Sequence, residues 1–193
     1  DLLGYEPEEI VGKTPFDFMA PDEADRVVEL FKKIVETKEP FQNLENINQH
    51  KEGRSVTLET SGVPVFDADR NFMGFRGIDR DISERKETEI ALRKLSTAVE
   101  QSPISIIITD QSGIIEYANS EFQTLTGYRQ EESVGQYPSI LKSGEQSDQF
   151  YKDLWDTIKV GEVWQGTIKN KKKNGDFYWE SAVIAPIKNN HDE

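Results

Sequence analysis

The chain of 193 residues carries 36 acidic against 23 basic side chains, which gives a net charge of −13. This excess of negative charge disfavours binding to nucleic acid or to an anionic membrane surface, and no stretch reaches the roughly 20 apolar residues of a membrane span. The absence of cysteine excludes disulfides, thiolate metal sites and cysteinyl cofactor adducts. We therefore predict a cytoplasmic protein with no nucleic-acid partner and no membrane contact by this segment.

Residues 1–12 and 124–135 carry the same motif. The stretches DLLGYEPEEIVG and TLTGYRQEESVG match at seven of twelve positions and stand 123 residues apart. In each stretch, acidic residues favour the positive end of a short helix. A final glycine, Gly12 or Gly135, can take the left-handed conformation that ends the helix. A repeat of this kind predicts two copies of one module.

The same order of elements follows each motif. Apolar spacing predicts a helix over residues 22–38, which includes Phe31, and a corresponding helix over residues 147–160, which includes Trp155. Each helix precedes a strand with an aromatic start, Phe41 in one copy and Trp164 in the other. Lysine-containing turns with glycine, KEGR at 51–54 and KKNGD at 172–176, predict a hairpin that returns along a second, longer strand.

Each copy also contains elements that the other lacks. Residues 105–126 predict a strand, a turn, a strand and a helix before the second motif, and residues 71–83 predict a strand that completes the first copy. We interpret the chain as cut inside both modules. The first copy would lack its N-terminal strands, and the second copy would lack its last strand.

A charged helix is predicted between the copies. Residues 83–103 read SERKETEIALRKLSTAVEQSP, and Ser83 is the expected N-cap. Leu92, Leu95 and Val99 form a short seam with three-four spacing, and a helix of about twenty residues would span about 30 Å. We predict that this linker helix forms a homodimer.

Taken together, these features resemble tandem PAS (S-box) sensory domains. The resemblance rests on SPISIIITDQSGIIEYANSEFQTLTGY, EESVGQYPSIL, DLWDTI and VWQGTIKNKKKNGDFYWE in the second copy and on RGIDRDISERK at the end of the first. It implies an α+β fold in which each domain has a five-stranded antiparallel sheet with short helices on one face. The implied boundaries are a first PAS domain at 1–83, a helical signalling linker at 84–99 and a second PAS domain at 100–193.

Domains of this family are sensors rather than enzymes. The resemblance implies a regulatory module of a signal-transduction protein that acts, through an exit helix, on an effector domain of the same polypeptide, such as a histidine kinase or a diguanylate cyclase. Asp81 and Arg85, four residues apart at the first exit, are predicted to pair as a signal relay worth about 0.3–0.5 kcal/mol if exposed. A flavoenzyme is disfavoured, because no acid–base constellation stands out.

The second copy is similar to the FAD-binding PAS domains of redox sensors, such as the one in nitrogen-fixation control. By this resemblance Trp155 and Asn170 correspond to the residues that contact the flavin, and Trp164 matches the WxG element. An aromatic ring can pack on the flavin, and an amide can donate and accept at the pyrimidine edge. Gln165 is a candidate to reorient when the redox state changes. We predict non-covalent FAD here, with redox or oxygen state as the signal.

The residues of the second copy leave an alternative open. Trp155 and Trp164 can also be core anchors, and Asn170 can cap the hairpin. Ile107 stands where the flavin-binding subgroup often has a polar residue. In this alternative the PAS pair contains no cofactor and serves dimerisation or small-metabolite sensing.

No flavin is predicted in the first copy. Phe31 and Phe41 replace the two tryptophans, and Asn46 or Asn48 is only a loose equivalent of Asn170.

Haem is also not predicted, because neither of the two long helices contains the histidine that would ligate it. His50 and His191 fall near a turn and at the chain end, where solvated positions are expected.

Overall fold

Two compact units make up the computed structural model, which describes residues 2–188. The first unit comprises residues 1–93 and the second residues 94–193, and the division falls within a helix, Ser83–Glu100 (α3). The helix predicted over the linker therefore forms. His191 lies outside the described residues.

The first unit has helices followed by three strands. Proline begins each of its first two α-helices, at the position where the missing N–H has no intrahelical partner to lose. Lys38, in the left-handed region with φ of 53°, ends the second. In chain order the elements are α1 (Pro7–Ile10), a 3₁₀ turn (Pro15–Phe18), α2 (Pro21–Thr37), β1 (Phe41–Gln49), β2 (Ser55–Phe66) and β3 (Phe72–Asp81).

Strand β2 is the centre of the first unit's sheet. It pairs antiparallel with β1 on one side and with β3 on the other. Burial alternates along the strands, so that Asn46, Asn48, Val56 and Leu58 are buried while the intervening Ile47 is 47% exposed. We call the face with the four buried residues the inner face and the opposite one the outer face.

Helix α2 packs by an amphipathic stripe and also protects the edge of the sheet. Val27 is buried at 3% exposure, as the apolar spacing predicts. At the start of the helix, Glu23 Oε1 accepts from the N–H of Ile47 at 2.9 Å, and Arg26 Nη2 donates to the carbonyl of Glu45 at 3.0 Å. These side chains satisfy backbone groups of β1 that have no neighbouring strand on that side.

The second unit repeats the order of helices and hairpin. Its elements are β4 (Ile107–Thr109), β5 (Ile115–Ala118), α4 (Ser120–Thr126), α5 (Gln130–Ser133), a 3₁₀ turn (Pro138–Leu141), α6 (Asp148–Lys159), β6 (Trp164–Lys171) and β7 (Phe177–Ile184). Strands β4 and β5 form one antiparallel hairpin and β6 and β7 another, and within residues 2–188 no ladder joins the two hairpins. Antiparallel strands mixed with helices in both units confirm the predicted α+β class.

The core of the second unit lies around the first of its hairpins. Ile115, Ala118, Phe122 and Leu141 form a buried cluster at 7% exposure or less. The first two come from β5, the third from α4 and the last from the 3₁₀ turn. Strand and helices are thus joined by apolar contact before the chain enters α6.

The repeated motif anchors the tip of the hairpin in each unit. In the first unit, Glu9 forms an ion pair with Lys51 from the turn between β1 and β2, at 2.7 Å. In the second unit, Glu132 pairs in the same way with Lys173 from the turn between β6 and β7. The same two carboxylates also accept backbone N–H groups at the starts of α1 and α5, which favours these short helices.

Backbone hydrogen bonds reinforce this anchor at equivalent positions. The N–H of Lys51 donates to the carbonyl of Leu3, and that of Lys173 donates to the carbonyl of Thr126, both at 2.9 Å. The first glycine of the motif has a φ of 74° in one copy and 80° in the other, a conformation that side chains disfavour. The motif is therefore repeated because two hairpins need the same structural support.

The exit of the first unit is tied to the central strand. The N–H of Thr57 donates to Ser83 Oγ at 2.9 Å, and the N–H of Ser83 donates to Asp81 Oδ1 at 2.9 Å. Helix α3 begins at Ser83 itself. The N-cap role predicted for Ser83 is therefore wrong, because its hydroxyl bonds a neighbouring strand rather than the start of the helix.

Candidate functional site

The inner face of the β6–β7 hairpin brings polar side chains together. Ile168 is buried at 8% exposure and Asn170 at 8%, whereas the residues between and after them on β6 face the other way. In the antiparallel register Asn170 is opposite Tyr178, and Ile168 is opposite Glu180. Directly opposite residues share a face of the sheet. Asn170, Tyr178 and Glu180 therefore form one cluster, which we call the inner polar cluster.

Asn170 is held by a carboxylate within this cluster. Its Nδ2 donates to Glu180 Oε2 at 2.9 Å. Its backbone forms an isolated antiparallel bridge with Lys142, which follows the 3₁₀ turn. The side chain of Asn170 is thus held by Glu180, and its backbone is held by Lys142.

Two tyrosine hydroxyls, those of Tyr151 on α6 and Tyr178 on β7, are buried in this unit without a hydrogen bond of good geometry among the described residues, although Tyr178 interacts with the side chains of Asn170 and Glu180. Burial, and next the charge of Glu180, raises the pKa of Tyr178 to about 12. Burial also raises the pKa of Tyr151. A buried polar atom without a partner is rare in folded proteins and requires an explanation. A bound ligand or a buried water molecule would supply the missing partner.

Trp164 is a core anchor. Its ring meets Phe150 of α6 edge to face at 5.4 Å between centroids. The ring also lies over Gly166, two residues along the strand, where an added Cβ would come within 2.5 Å of the ring atoms. The glycine of the WxG element is therefore needed to make room for the tryptophan. Trp164 fixes α6 to the hairpin, as the alternative interpretation predicts.

Trp155 does not join the inner polar cluster. It is 42% exposed, and its ring lies against the turn between β4 and β5, where a Cβ added to Gly113 would be 3.0 Å from Cη2. No hydrogen bond or ring contact connects it with Asn170 in residues 2–188. Trp155, which the resemblance assigned to flavin contact, thus lies against the turn between β4 and β5 and makes neither kind of contact with Asn170 in the described residues.

Gln165 lies on the outer face. It is exposed, and its partner in the register is Val183, which is 65% exposed. The strand alternates with period two, so Gln165 and its neighbour Trp164 point to opposite sides. Gln165 therefore lies on the face opposite the inner polar cluster.

The sequence interpretation missed Tyr151, Tyr178 and Glu180. The alternation FYWES along β7 contained the signal for two of them, because Tyr178 and Glu180 are two residues apart and share a face. Only the register shows that this face is the one that carries Asn170.

The first unit has a counterpart of Asn170, but its surroundings differ. Asn48 forms an isolated backbone bridge with Met19, just as Asn170 does with Lys142, so Asn48 is the equivalent residue. Its spacing along the sequence is 122 rather than 123 residues, because the pairing of β1 with β2 shifts between Phe41 and Leu44. Because of this shift, neither Asn46 nor Asn48 matches Asn170 at the offset of 123 residues that relates the other repeated positions.

In the first unit the polar groups of the inner face satisfy one another. Asn48 Nδ2 donates to Asn46 Oδ1 at 2.6 Å, and Asn46 Nδ2 donates to Thr60 Oγ1 at 2.9 Å. The Thr60 hydroxyl then donates to Asp79 Oδ1 at 2.6 Å. The positions opposite the two asparagines are the apolar Val56 and Leu58.

Aromatic side chains close the rest of this inner face. Phe31 of α2, Phe41 of β1 and Phe75 of β3 meet one another edge to face at 5.5–5.9 Å. Phe41 also lies over Gly62, in the way Trp164 lies over Gly166. The first unit therefore has a filled core where the second has the inner polar cluster.

His50 is largely buried, with a side chain 11% exposed, and its Nδ1 accepts from the N–H of Glu52 at 3.1 Å. The solvated position expected for it is wrong, because the ring packs against Gly4 of the repeated motif.

The chemistry of the inner polar cluster fits the edge of a heteroaromatic ligand such as flavin. Asn170 Oδ1 and Glu180 can accept from ring N–H groups, and the Tyr178 hydroxyl can donate to a ring carbonyl. A ligand made only of hydrocarbon would leave these polar groups without hydrogen-bond partners, which would reduce the free energy of binding. The donor set thus favours a ligand with both donors and acceptors along one edge.

The relay residues of the first exit have different partners from those predicted. Asp81 accepts from the hydroxyl and N–H of Ser83, and these bonds lower the pKa of its carboxyl group. Arg85 Nη2 instead lies 3.4 Å from Glu59 Oε2 and 3.9 Å from Glu45 Oε1. The predicted pair of Asp81 and Arg85 is wrong, since Asp81 faces the helix start and Arg85 reaches across two strands.

At its other end, α3 is joined to the second unit by two polar residues. Asn119 is fully buried at 0% exposure. Its Oδ1 accepts from the N–H of Ile106 and its Nδ2 donates to the carbonyl of Val99, at 2.9 and 3.1 Å. Glu100 accepts from the hydroxyl of Tyr117 at 2.5 Å, and this bond raises the pKa of Tyr117 to about 12.

Comparison with known families identifies both units. Residues 1–87 match the family described as PAS fold, and residues 103–193 match the family described as PAS domain. The chain therefore belongs to the PAS family and carries two PAS domains in tandem. A solved PAS domain of a Colwellia psychrerythraea protein matches with a TM-score of 0.50 and 23% identity, covering 53% of this chain and 87% of that one.

Curated relatives are signal-transduction proteins. The chain is 37% identical over 79 residues to the aerotaxis receptor of Escherichia coli, and this match covers 41% of this chain and 16% of the receptor. It is 32% identical over 93 residues to the nitrogen fixation regulatory protein of Klebsiella oxytoca, which covers 48% of this chain and 19% of that protein. The matched part is thus less than a fifth of either relative. No helix in residues 2–188 has the length and apolar character that a membrane crossing requires.

Proposed function

We propose that this chain is the sensory region of a signal-transduction protein, in which the second PAS domain binds FAD and responds to redox or oxygen state. The observation that supports a ligand is the pair of buried tyrosine hydroxyls without partners, one of which belongs to the inner polar cluster. The resemblance of the second copy to flavin-binding redox sensors supports FAD as the ligand. The sequence has no cysteine, which excludes a cysteinyl adduct, and we propose that the flavin is held without a covalent bond.

In this proposal the residues of the cluster have separate tasks. Bound flavin would supply a redox change that alters hydrogen bonding along the ring edge. Asn170 and Glu180 would accept from the ring, while Tyr178 would donate to it. Different contacts with the oxidised and reduced ligand would shift the balance between two conformations of the domain, which is how a ligand state becomes a signal.

The signal would act on an effector domain of the same polypeptide, and the chain would work as a homodimer. Leu92 and Leu95 of α3 are 62% and 66% exposed, which is the arrangement expected of a seam that pairs with a second copy. Replacement of both by glutamate should weaken dimerisation of the whole chain in analytical ultracentrifugation. An unchanged sedimentation profile would exclude the seam as the dimer contact.

The visible spectrum of the purified chain tests the ligand. We expect the two-band absorption of oxidised flavin and the release of FAD on heating, in a one-to-one ratio with protein. Asn170→Leu should abolish uptake of added FAD, whereas Gln165→Leu on the outer face should not. A colourless protein that takes up no added FAD would contradict the proposal and favour a cofactor-free PAS pair for dimerisation or metabolite sensing.

A further inference from the structure

The carboxylate of Glu180 is an unexpected neighbour for a flavin site. It lies partly buried on the inner face of β7, and its hydrogen-bond partner there is the Nδ2 of Asn170, at 2.9 Å. In the described part of the chain no lysine, arginine or histidine forms an ion pair with it. A negative charge without a cation therefore faces the side of the hairpin that α6 covers.

The equivalent position in the first domain shows that the fold does not require this charge. Leu58 lies opposite Asn46 on β2 and is 4% exposed. Glu180 lies opposite Ile168 on β7 in the corresponding place. An apolar residue would serve the packing of the hairpin at lower cost, since a partly buried charge loses hydration. The presence of glutamate thus indicates a role at the ligand.

The neighbouring side chains restrict what that role can be. Asn170 already donates its amide hydrogen to Glu180, so the second carboxylate oxygen is the one available to a ligand. It can accept from a ring N–H and cannot donate. A ligand that gains negative charge at the same place would instead be repelled by the carboxylate.

We propose that Glu180 determines which redox form of the ligand the second PAS domain prefers. The carboxylate accepts from the neutral oxidised ring and disfavours the anionic reduced ring. This inference rests on the proposed binding of flavin. It makes the domain hold oxidised flavin more tightly than the reduced anion, so that the bound cofactor has a lower reduction potential than it would beside a neutral residue.

The electron and proton balance shows which reduced form of the flavin the carboxylate favours. Two electrons from a chemical reductant such as dithionite and one proton from water yield the anionic reduced flavin. Two electrons and two protons yield the neutral reduced form. A carboxylate at the ring edge opposes the first product and favours uptake of the second proton, because the charge beside it then stays at zero.

Reduction potentials of the loaded whole chain test the proposal. Glu180→Gln keeps the shape and removes the charge, and Glu180→Asp keeps the charge. Glu116→Gln, an exposed carboxylate on β5, is the matched control. We expect Glu180→Gln to change the ratio of affinities for reduced and oxidised FAD at least tenfold in favour of the reduced form, which is a positive shift of about 30 mV for a two-electron couple.

Each outcome has a distinct meaning. A potential in Glu180→Asp that stays near that of the unaltered chain, with no shift in Glu116→Gln, would support a charge effect at the cluster. Equal potentials in the unaltered chain and Glu180→Gln would overturn this inference while the flavin proposal stands. Failure of the unaltered chain to bind FAD would overturn both. Circular dichroism of each variant verifies that it is folded.

Discussion

The two PAS domains use the same pair of strands for different inner faces. Where β2 of the first domain presents Val56 and Leu58, β7 of the second presents Tyr178 and Glu180. The first domain pairs its polar groups with one another and fills the remaining space with phenylalanine rings. The second leaves hydroxyl groups without partners. One backbone plan can thus carry either apolar or polar side chains on the inner face of its hairpin, through residue changes at two strand positions.

A reciprocal exchange at these positions should have the largest effect. Leu58→Glu places an unpaired carboxylate at a site 4% exposed, and we expect a loss of about 3–5 kcal/mol in the free energy of unfolding. Glu180→Leu should cost little stability and should abolish FAD binding. Urea unfolding measured by circular dichroism reports on both domains, and tryptophan fluorescence reports on the second, which contains all three tryptophans.

The control for this exchange is Ile47→Glu, on the outer face, where the same carboxylate remains in water and should cost much less. Equal losses from the two substitutions would show that the inner face of the first domain is not closed.

Removal of the equivalent asparagines should separate a structural role from a binding role. Asn48→Ala leaves Asn46 Oδ1 without its buried donor, and we expect a loss of about 1–3 kcal/mol in stability with no effect on FAD uptake. Asn170→Ala should cost less stability, because Glu180 is only partly buried and can bond water, but it should weaken FAD binding at least tenfold. The measurements are urea unfolding and flavin titration. If both variants lost the same stability and had the same FAD uptake, the two asparagines would not have the different roles expected here.

Two tyrosines make the second domain sensitive to alkali. The pKa of Tyr178 and of Tyr117 is raised to about 12 in the folded chain, from an ordinary value near 10. Because the folded state holds these protons more tightly, the stabilisation is complete below pH 10 and is lost as the pH rises through about 12. We therefore expect the stability of the second domain, measured by tryptophan fluorescence, to fall over this pH range. The fall should be larger than that of the first domain.

The variant Tyr178→Phe tests the source of that slope. It removes a buried hydroxyl that has no partner, so we expect a change of about 1 kcal/mol or less near neutral pH, toward higher stability, and a shallower loss above pH 10. An unchanged alkaline slope would assign the effect to Tyr117 and its bond with Glu100.

The smallest effects should come from the repeated anchor. Lys51→Met and Lys173→Met each remove one exposed ion pair with the glutamate of the motif, and such pairs contribute little in water. We expect near-equal losses in the two variants, both below those of the asparagine variants and both reduced at high salt. Urea unfolding in low and high salt measures this. A large loss in only one variant would show that the two anchors are not equivalent.

Much of the fold could be predicted because local signals decide it. The motif with its glycines, the amphipathic spacing around Val27 and Leu154, and the hairpin turns all lie within short windows, and each corresponds to a structural element. The charged helix between the copies also forms. These features follow from backbone conformation and apolar periodicity, which a sequence records directly.

The candidate site was only partly predictable. Asn170 lies on the inner face, whereas Trp155 packs on a turn, Trp164 supports α6 and Gln165 faces outward. A resemblance transfers residue types but not their orientation, which depends on packing against neighbouring elements. Ion pairs such as that of Arg85 with Glu59 join residues 26 positions apart, and spacing along a helix cannot reveal them.

The repeat in the sequence is enough to predict that a PAS module is present twice, because turn residues and apolar periods act over a few positions and recur in both copies. Only the tertiary structure shows which domain buries tyrosine hydroxyls without a well-placed hydrogen-bond partner. The strand register pairs equivalent positions in the two domains, Asn48 with Val56 and Asn170 with Tyr178. The difference therefore comes from the residue types that this register brings onto one face. Register arises from contacts between strands and from a shift of one residue in β1, and neither is recorded in any single stretch of the chain.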